Sequence, residues 1–112
     1  MIAYTVTCEF DDRNVANEWI SWLRDEHLAE VLACGALDAE VIGFDRDAAA
    51  APGRSGAAAR CEVRYHFDSR EAFATYERDH APQLRAKGLA RFPTSRGIRY
   101  QRSLGDVFVS MP

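Results

Sequence analysis

The sequence predicts an α+β fold of the split βαβ type, and two features of its residue pattern predict it. Four segments alternate apolar and polar residues with a period of two, as half-buried strands do. Between the first and second segments, and again between the third and fourth, apolar residues recur at the spacing of a helix. The predicted order is therefore strand, helix, strand, strand, helix, strand.

The four strands are predicted at residues 2–10, 37–44, 58–67 and 97–104. The alternation is clearest in the third strand, whose apolar positions share one parity: Ala59, Cys61, Val63, Tyr65 and Phe67. Right-handed crossovers place the first and third strands side by side in the middle of a four-stranded antiparallel sheet, with both helices on one face. This is the ferredoxin-like arrangement, predicted here as a single domain over residues 1–112.

The first helix is predicted to start beside the N-cap candidates Asp11, Asp12 and Asn14. Gly35 is predicted to end it in the left-handed conformation. Its buried side is predicted from a row of residues four apart, formed by Val15, Trp19, Leu23, His27 and Val31.

The second helical region is predicted to begin with a capping box, in which Asp68 precedes Glu71 by three residues. Pro82 interrupts it and suits the first turn of another short helix that reaches about residue 92. Gly105 is predicted to break or bulge the last strand, and residues 107–109 are predicted to form a further short strand.

The sheet face turned away from the helices is predicted to be polar, since it carries Thr5, Thr7, Glu62, Arg64, His66, Arg99 and Gln101. A second copy packed against this face would give a two-fold dimer with a polar interior. The apolar segment 107–109 also favours a partner chain as its cover. Residues 45–57, rich in Ala, Gly and Pro, are predicted to form an exposed, mobile loop.

The composition is that of a globular protein, with 47% hydrophobic and 28% charged residues and a net charge of −3. No stretch reaches the roughly 18 apolar residues that a membrane span needs. The first residues lack the basic and apolar regions of a secretory signal, so we expect a cytoplasmic protein. Three widely spaced cysteines, Cys8, Cys34 and Cys61, are expected to be reduced.

Two segments resemble a known family. One is Trp19-x-x-Trp22-Leu23-x-x-x-His27-Leu28-x-x-Val31-Leu32-x-x-Gly35, and the other is His80-Ala81-Pro82-x-Leu84-Arg85-x-x-Gly88-x-x-Arg91-Phe92. Both are similar to an uncharacterised bacterial family, a domain of unknown function that resembles the dimeric α+β barrel superfamily. The resemblance covers nearly the whole chain. It implies a ferredoxin-like fold, a dimeric α+β barrel and a homodimer, and it implies no activity.

Two histidines are candidates for catalysis. His27 lies within an apolar helical row, where it is either a packed residue or a general base that reaches into a pocket. His80 precedes Ala81 and Pro82 at a helix break, where it either caps the helix or shares a cleft with His27. The two helical regions lie side by side in this fold, which allows the second interpretation.

The candidate ligand-binding residues are Trp22, His27, His80, Arg85 and Arg91. Arg85 and Arg91 are either surface groups paired with acidic residues of the first helix or a clamp for a carboxylate or phosphate. Trp22 either anchors the core, as Trp19 is expected to do, or lines the mouth of a pocket.

Several classes of site are not supported by the residue pattern. Metal ligands would have to come from separate elements without a paired spacing, so we expect no metal. No glycine-rich phosphate loop follows a strand, and we expect no cofactor. The aromatic residues of the third strand alternate with its arginines, which argues against a nucleic-acid-binding sheet.

The sequence therefore names no reaction, and two hypotheses remain. In the first, a small dimeric protein binds an anionic or carbonyl-bearing ligand in a pocket lined by histidine and arginine. An enzyme of this kind would carry out proton transfer without a cofactor, with a histidine as base and an arginine at the developing oxyanion. In the second, the protein is a non-catalytic dimerisation or interaction module without a ligand.

Overall fold

The computed structural model describes residues 1–45 and 57–112. Its strands are β1 (Ile2–Phe10), β2 (Asp38–Gly43), β3 (Ala59–Phe67) and β4 (Ile98–Asp106). Its helices are α1 (Arg13–Trp22), α2 (Leu28–Ala33), α3 (Arg70–Asp79) and α4 (Ala81–Arg91). A turn of π-helix, Leu23–His27, joins α1 to α2, and a short 3₁₀ turn, Thr94–Arg96, precedes β4. The predicted order of strands and helices is confirmed.

The described strands form one antiparallel sheet in the order β2-β3-β1-β4. As predicted, the first and third strands occupy the middle, and the register fixes which side chains share a face. Cys8 lies opposite Cys61 on β3 and opposite Tyr100 on β4. These three residues therefore point toward the same side of the sheet.

Aromatic contacts hold the helices against that side. The ring of Phe10 lies 5.5 Å from the ring of Trp19 in α1. The ring of Phe67 lies 5.2 Å from Phe73 and 5.1 Å from Tyr76, both in α3. Phe67 lies opposite Ile2, and Ile2 and Phe10 are both even-numbered residues of β1, so Phe10 and Phe67 point to the same face of the sheet. Both helical regions therefore cover that face, as predicted.

The cysteines on this face are part of the core. Cys8 and Cys61 are buried and carry free thiols. Burial raises the pKa of the Cys8 thiol and that of the Cys61 thiol. Neutral thiols in such surroundings pack as small apolar groups.

The opposite face is polar, and its charges pair with one another. Arg64 donates to the Glu62 carboxylate at 2.6 Å and lies 3.8 Å from Glu40. His66 of β3 lies opposite Asp38 of β2, and its Nδ1 is 2.6 Å from the Asp38 carboxylate. Glu62 is the buried member of this set, and its pairing with Arg64 compensates the lost hydration.

One helix start agrees with prediction and the other does not. The Asp12 side chain caps α1 by accepting from the Asn14 N–H at 2.8 Å. The N-cap of α3 is Ser69, whose Oγ accepts from the Ala72 N–H at 3.1 Å, so the predicted capping box of Asp68 is wrong. Ser69 is the last extended residue, and its hydroxyl is therefore the one that faces the first turn.

The end of the chain also differs from prediction. Gly105 lies opposite Ala3 in an unbroken register, so it makes no bulge. Residues 107–112 form no strand. The pairing of this segment with the β1 end of the chain stops at Val107, whose N–H donates to the Met1 carbonyl at 2.9 Å. Of the loop predicted at 45–57, residues 46–56 lie outside the described residues.

Gly97 allows the turn that leads into β4. Its φ is +78°, and its carbonyl accepts from the Asp11 N–H at 2.9 Å. A Cβ at this position would lie 2.9 Å from Asp11 Oδ2. The tight turn and the close approach of the two segments therefore both require glycine.

We predict that Gly97→Ala lowers the free energy of unfolding by about 1–2 kcal/mol, because it adds left-handed strain and a steric clash. Urea denaturation followed by circular dichroism measures the change. Gly43→Ala is the matched control, because a Cβ there meets no described residue within 4 Å and the backbone φ is not positive. Equal stability losses in the two variants would contradict this explanation.

Candidate functional site

A cavity of about 70 Å³ lies between the covered face of the sheet and the helices, and it is partly open to solvent. Its aromatic lining is Tyr4, Trp19, Trp22, Tyr65, Tyr76 and Tyr100. Its aliphatic lining is Val6, Leu23, Val63, Leu84 and Leu89. Gly88 and three basic residues, His27, Arg85 and Arg102, complete the wall. A mostly apolar pocket with a few polar groups is typical of a small-molecule site.

The π-turn brings two of the predicted residues together. Residues five apart in an α-helix lie about 140° apart around the axis and do not face each other. Here the Leu28 N–H donates to the Leu23 carbonyl, which widens the turn by one residue. The His27 imidazole consequently stacks on the Trp22 indole, with 4.4 Å between ring centroids and 18° between planes.

α4 closes the cavity on the far side of Trp22. A Cβ at Gly88 would lie 3.3 Å from the Trp22 ring, so glycine lets the helix backbone approach the indole closely. The ring of Phe92, just after α4, lies 5.4 Å from the same indole. Contacts of this kind hold Trp22, and with it the stacked His27, in a defined position.

His27 is a partly buried base that is neutral at pH 7. Its side chain is 14% exposed, and Nδ1 lies 4.0 Å from Glu30 Oε1, beyond hydrogen-bonding distance. Burial lowers the pKa of His27, although the nearby Glu30 carboxylate opposes this shift. Glu30 itself pairs with Lys87 of α4. An imidazole with a lowered pKa is uncharged at neutral pH and has a nitrogen lone pair available.

Arg85 is held in the cavity wall by two partners. Its Nη2 donates to both oxygens of the Glu77 carboxylate, at 2.5 and 2.8 Å, and lies 3.5 Å from the Tyr4 hydroxyl. The Nε of the same guanidinium is different, because it is buried and has no hydrogen-bond partner among the described residues. Arg85 therefore retains a donor that Glu77 does not use.

Two further residues of the wall were not predicted as site residues. The Tyr65 hydroxyl is buried without a hydrogen-bond partner among the described residues, and burial raises the pKa of this phenol. Arg102 forms no ion pair within the described part of the chain. The sequence carried one signal for Arg102, since it is a charge at an apolar-parity position of β4, between Tyr100 and Leu104. Tyr65 carried none, because a tyrosine on a core face is ordinary.

The structure separates the five predicted residues into two groups. Trp22, His27 and Arg85 line the cavity together. His80 lies at the junction of α3 and α4, where its backbone accepts from the Leu84 N–H, and its side chain is not part of the lining. Arg91 is exposed and donates to Glu26 at 3.1 Å, which is the pairing that the surface interpretation predicts.

Trp19 packs in the core as expected, with its ring against Phe10. Among the described residues, no cluster of three or more histidine, cysteine or acidic side chains could hold a metal ion. Nor does any helix in residues 1–45 or 57–112 have the length and apolar character needed to cross a membrane.

Comparison with family models decides the relationship. The model of one family, described as a domain of unknown function (DUF4286), matches residues 1–97. The chain belongs to this family. The resemblance inferred from the two helical motifs is thereby confirmed, and the DUF4286 match covers every residue of the candidate cavity except Tyr100 and Arg102. A comparison with curated proteins finds no significant match.

Solved structures similar to this DUF4286 protein share its fold. A dimeric ferredoxin-like protein from an uncultured marine organism has a TM-score of 0.69 and 12% identity over 100% of this chain and 99% of its own. A second such protein, also from an uncultured marine organism, has a TM-score of 0.57 and 14% identity over 98% and 97%. HapK from Hahella chejuensis has a TM-score of 0.67 and 14% identity over 100% and 97%. Identities this low establish the ferredoxin-like fold and no activity.

The lowered pKa of His27 predicts a pH dependence of stability. Below the ordinary histidine pKa of about 6.5, the unfolded chain binds a proton that the folded chain resists. The contribution of His27 to the free energy of unfolding therefore favours the folded state above this pH, and it is lost as the pH falls from 7 to 5. We expect His27→Gln to weaken the decline of the urea midpoint over this range.

His80→Gln is the matched control, because it removes an imidazole that lies outside the cavity lining. We expect this variant to keep the wild-type decline. If the urea midpoint of His27→Gln declines between pH 7 and 5 as steeply as that of the wild type, the His27 imidazole does not cause the pH dependence of stability.

Proposed function

We propose that the cavity binds a small anionic or carbonyl-bearing molecule. One observation carries the proposal: three residues of the lining, His27, Tyr65 and Arg85, each carry a buried polar atom (Nδ1, Oη and Nε) without a hydrogen-bond partner among the described residues. Buried polar groups in folded proteins are almost always paired, and an unpaired one costs about 1–3 kcal/mol. Three such groups around one cavity point to a ligand that pairs with them.

The charges of the lining support an anion or a polarised carbonyl. Arg85 and Arg102 are cationic, and no carboxylate lies among the lining residues. Glu77 neutralises part of the Arg85 charge through Nη2 and leaves Nε without a partner among the described residues. A guanidinium in such a position binds a carboxylate or stabilises an oxyanion. Six aromatic side chains around these groups favour a ligand with a planar apolar part.

The same residues could support cofactor-free proton transfer. A neutral His27 would accept a proton from a carbon beside a carbonyl, and Arg85 would stabilise the enolate oxygen that forms. The stacked Trp22 holds the imidazole plane, which limits the directions from which it can take a proton. His80 and Arg91 have no place in this proposal, because neither lines the cavity.

We further propose that the protein is a homodimer in the cytoplasm. Two structurally similar proteins are described as dimeric ferredoxin-like proteins, which supports a dimer here. Free thiols at Cys8, Cys34 and Cys61 suit the reducing cytoplasm.

An alternative is a dimerisation module without a ligand. It is favoured by the ion pairs that join the two helical regions, Arg91 with Glu26, Lys87 with Glu30 and Arg96 with Glu18. These pairs explain several of the polar residues as structural. On this view the cavity is a packing defect beside the sheet edge, and no anion binds there with measurable selectivity.

Titration with benzoate distinguishes the two functions, because benzoate combines a carboxylate with a planar ring. We expect binding that quenches tryptophan fluorescence, since Trp22 lines the cavity. Arg85→Gln should weaken the affinity at least tenfold, because a charge-assisted hydrogen bond contributes about 1.5–3 kcal/mol. Benzyl alcohol, which has neither a charge nor a carbonyl group, should bind more weakly than benzoate.

Arg91→Gln is the control, because it removes the same charge from the exposed side of α4. Circular dichroism checks that both variants fold. Equal loss of benzoate affinity in the two variants, or no saturable binding by the wild type, would support the module without a ligand.

A further inference from the structure

No described element covers β4 over most of its length. It forms one edge of the sheet, and every residue from Gln101 to Asp106 is exposed. The helices contact β1, β2 and β3, and Tyr100 and Arg102 of β4 line the cavity. Edge strands exposed in this way are the usual sites of strand pairing between chains.

The chain after β4 is apolar and also exposed. Phe108 is 92% exposed, and Val109 and Met111 are exposed nearly as far. Leu104 near the end of β4 is 43% exposed. A contiguous run of large apolar side chains on a strand and its extension indicates a surface that another chain covers.

The backbone of β4 determines which residues can pair outward. The Val107 N–H points toward β1, since it donates to the Met1 carbonyl. Successive residues of a strand direct their amides to opposite sides, so the even-numbered residues direct theirs to the free edge. The side chains of these residues, among them Tyr100, Arg102 and Leu104, lie on the helix side of the sheet, opposite Cys8, Val6 and Tyr4.

We propose that β4 pairs antiparallel with β4 of a second copy of this chain, about a two-fold axis at Leu104. In this register Leu104 hydrogen-bonds to the partner's Leu104, and their side chains meet on the helix side. Arg102 lies opposite the partner's Asp106, and Tyr100 lies opposite the partner's Phe108. By symmetry each of the last two pairs forms twice.

Charge complementarity selects this register over its neighbours. An axis at Arg102 would place two arginines opposite each other, which is unfavourable in a cross-strand pair. An axis at Ser103 would place Arg102 opposite leucine and Tyr100 opposite aspartate. Asp106 already accepts from Arg70 at 2.9 Å through Oδ2, but both groups are exposed, and Oδ1 remains available for Arg102.

The second copy would complete the ligand cavity. Tyr100 and Arg102 line its open side, so the partner's Phe108 and the partner's Asp106 would close that side. Arg85 would then be the guanidinium that meets the ligand, while Arg102 is held at the mouth. This consequence rests on the proposed ligand function, whereas the pairing of the strands does not.

Charge reversal tests the pairing. Sedimentation equilibrium of the full chain measures the dimer dissociation constant. Asp106→Arg and Arg102→Asp should each weaken the dimer at least tenfold, since each places like charges together. The double variant restores opposite charges and should return to within threefold of the wild type. Asp25→Arg, an exposed reversal in the π-turn, should leave the constant unchanged.

The outcomes separate the proposals. A wild type that stays monomeric overturns both the homodimer and the pairing, while a dimer unaffected by either reversal overturns the pairing alone. Loss in the single variants without recovery in the double variant overturns the register. In Asp106→Arg we expect weaker benzoate binding along with weaker dimerisation. Benzoate affinity that stays at the wild-type value in monomeric Asp106→Arg shows that the cavity needs no partner.

A cysteine at the axis gives an independent test. Opposite residues of a hydrogen-bonded antiparallel pair have Cα atoms about 5.5 Å apart, within the range that a disulfide spans. With oxidised glutathione, Leu104→Cys should form a covalent dimer on a non-reducing gel. Leu37→Cys, which is 52% exposed on the other side of the molecule, is the control. Equal crosslinking of the two variants would contradict an axis at Leu104.

Discussion

The packing of aromatic side chains on one face of the central strand pair is the constraint on which the structure depends. β1 and β3 direct alternate residues toward the helices. The ring of Phe10 packs against Trp19 of the first helical region, and the ring of Phe67 packs against Phe73 of the second. Because this face must be dry, the polar residues of the same strands are forced to the other side. The sheet thus acquires one covered and one polar face from a single alternation.

The cavity follows from the limits of that packing. The helical regions cover the central strands, whereas residues 101–106 of β4 are exposed, and Tyr100 and Arg102 line the cavity at this side. The π-turn then directs His27 toward this space, where the helix would otherwise have turned it away from Trp22. A local irregularity in one helix and an incomplete cover over one strand together produce a pocket with unpaired polar atoms.

The uncovered strand also connects the proposed ligand site to the proposed dimer. Side-chain direction and amide direction both alternate along a strand with a period of two residues. In β4 the same even-numbered residues therefore direct their side chains to the mouth of the cavity and their amides to the free edge. A chain that pairs with β4 therefore meets the cavity wall without any additional element. Assembly and ligand binding become linked in this geometry through Arg102 and Tyr100.

The sequence by itself determined the four strands, the order of the elements and the side of the sheet that the helices cover, because alternation along a strand is a local property. It also indicated Trp22, His27 and Arg85 as polar or aromatic groups within apolar surroundings. Only the tertiary structure decided that these three share a cavity, and that Tyr65 and Arg102 join them while His80 and Arg91 do not. The shared cavity and its unpaired polar atoms depend on residues distant in the chain meeting in space, and no spacing along the sequence encodes that meeting.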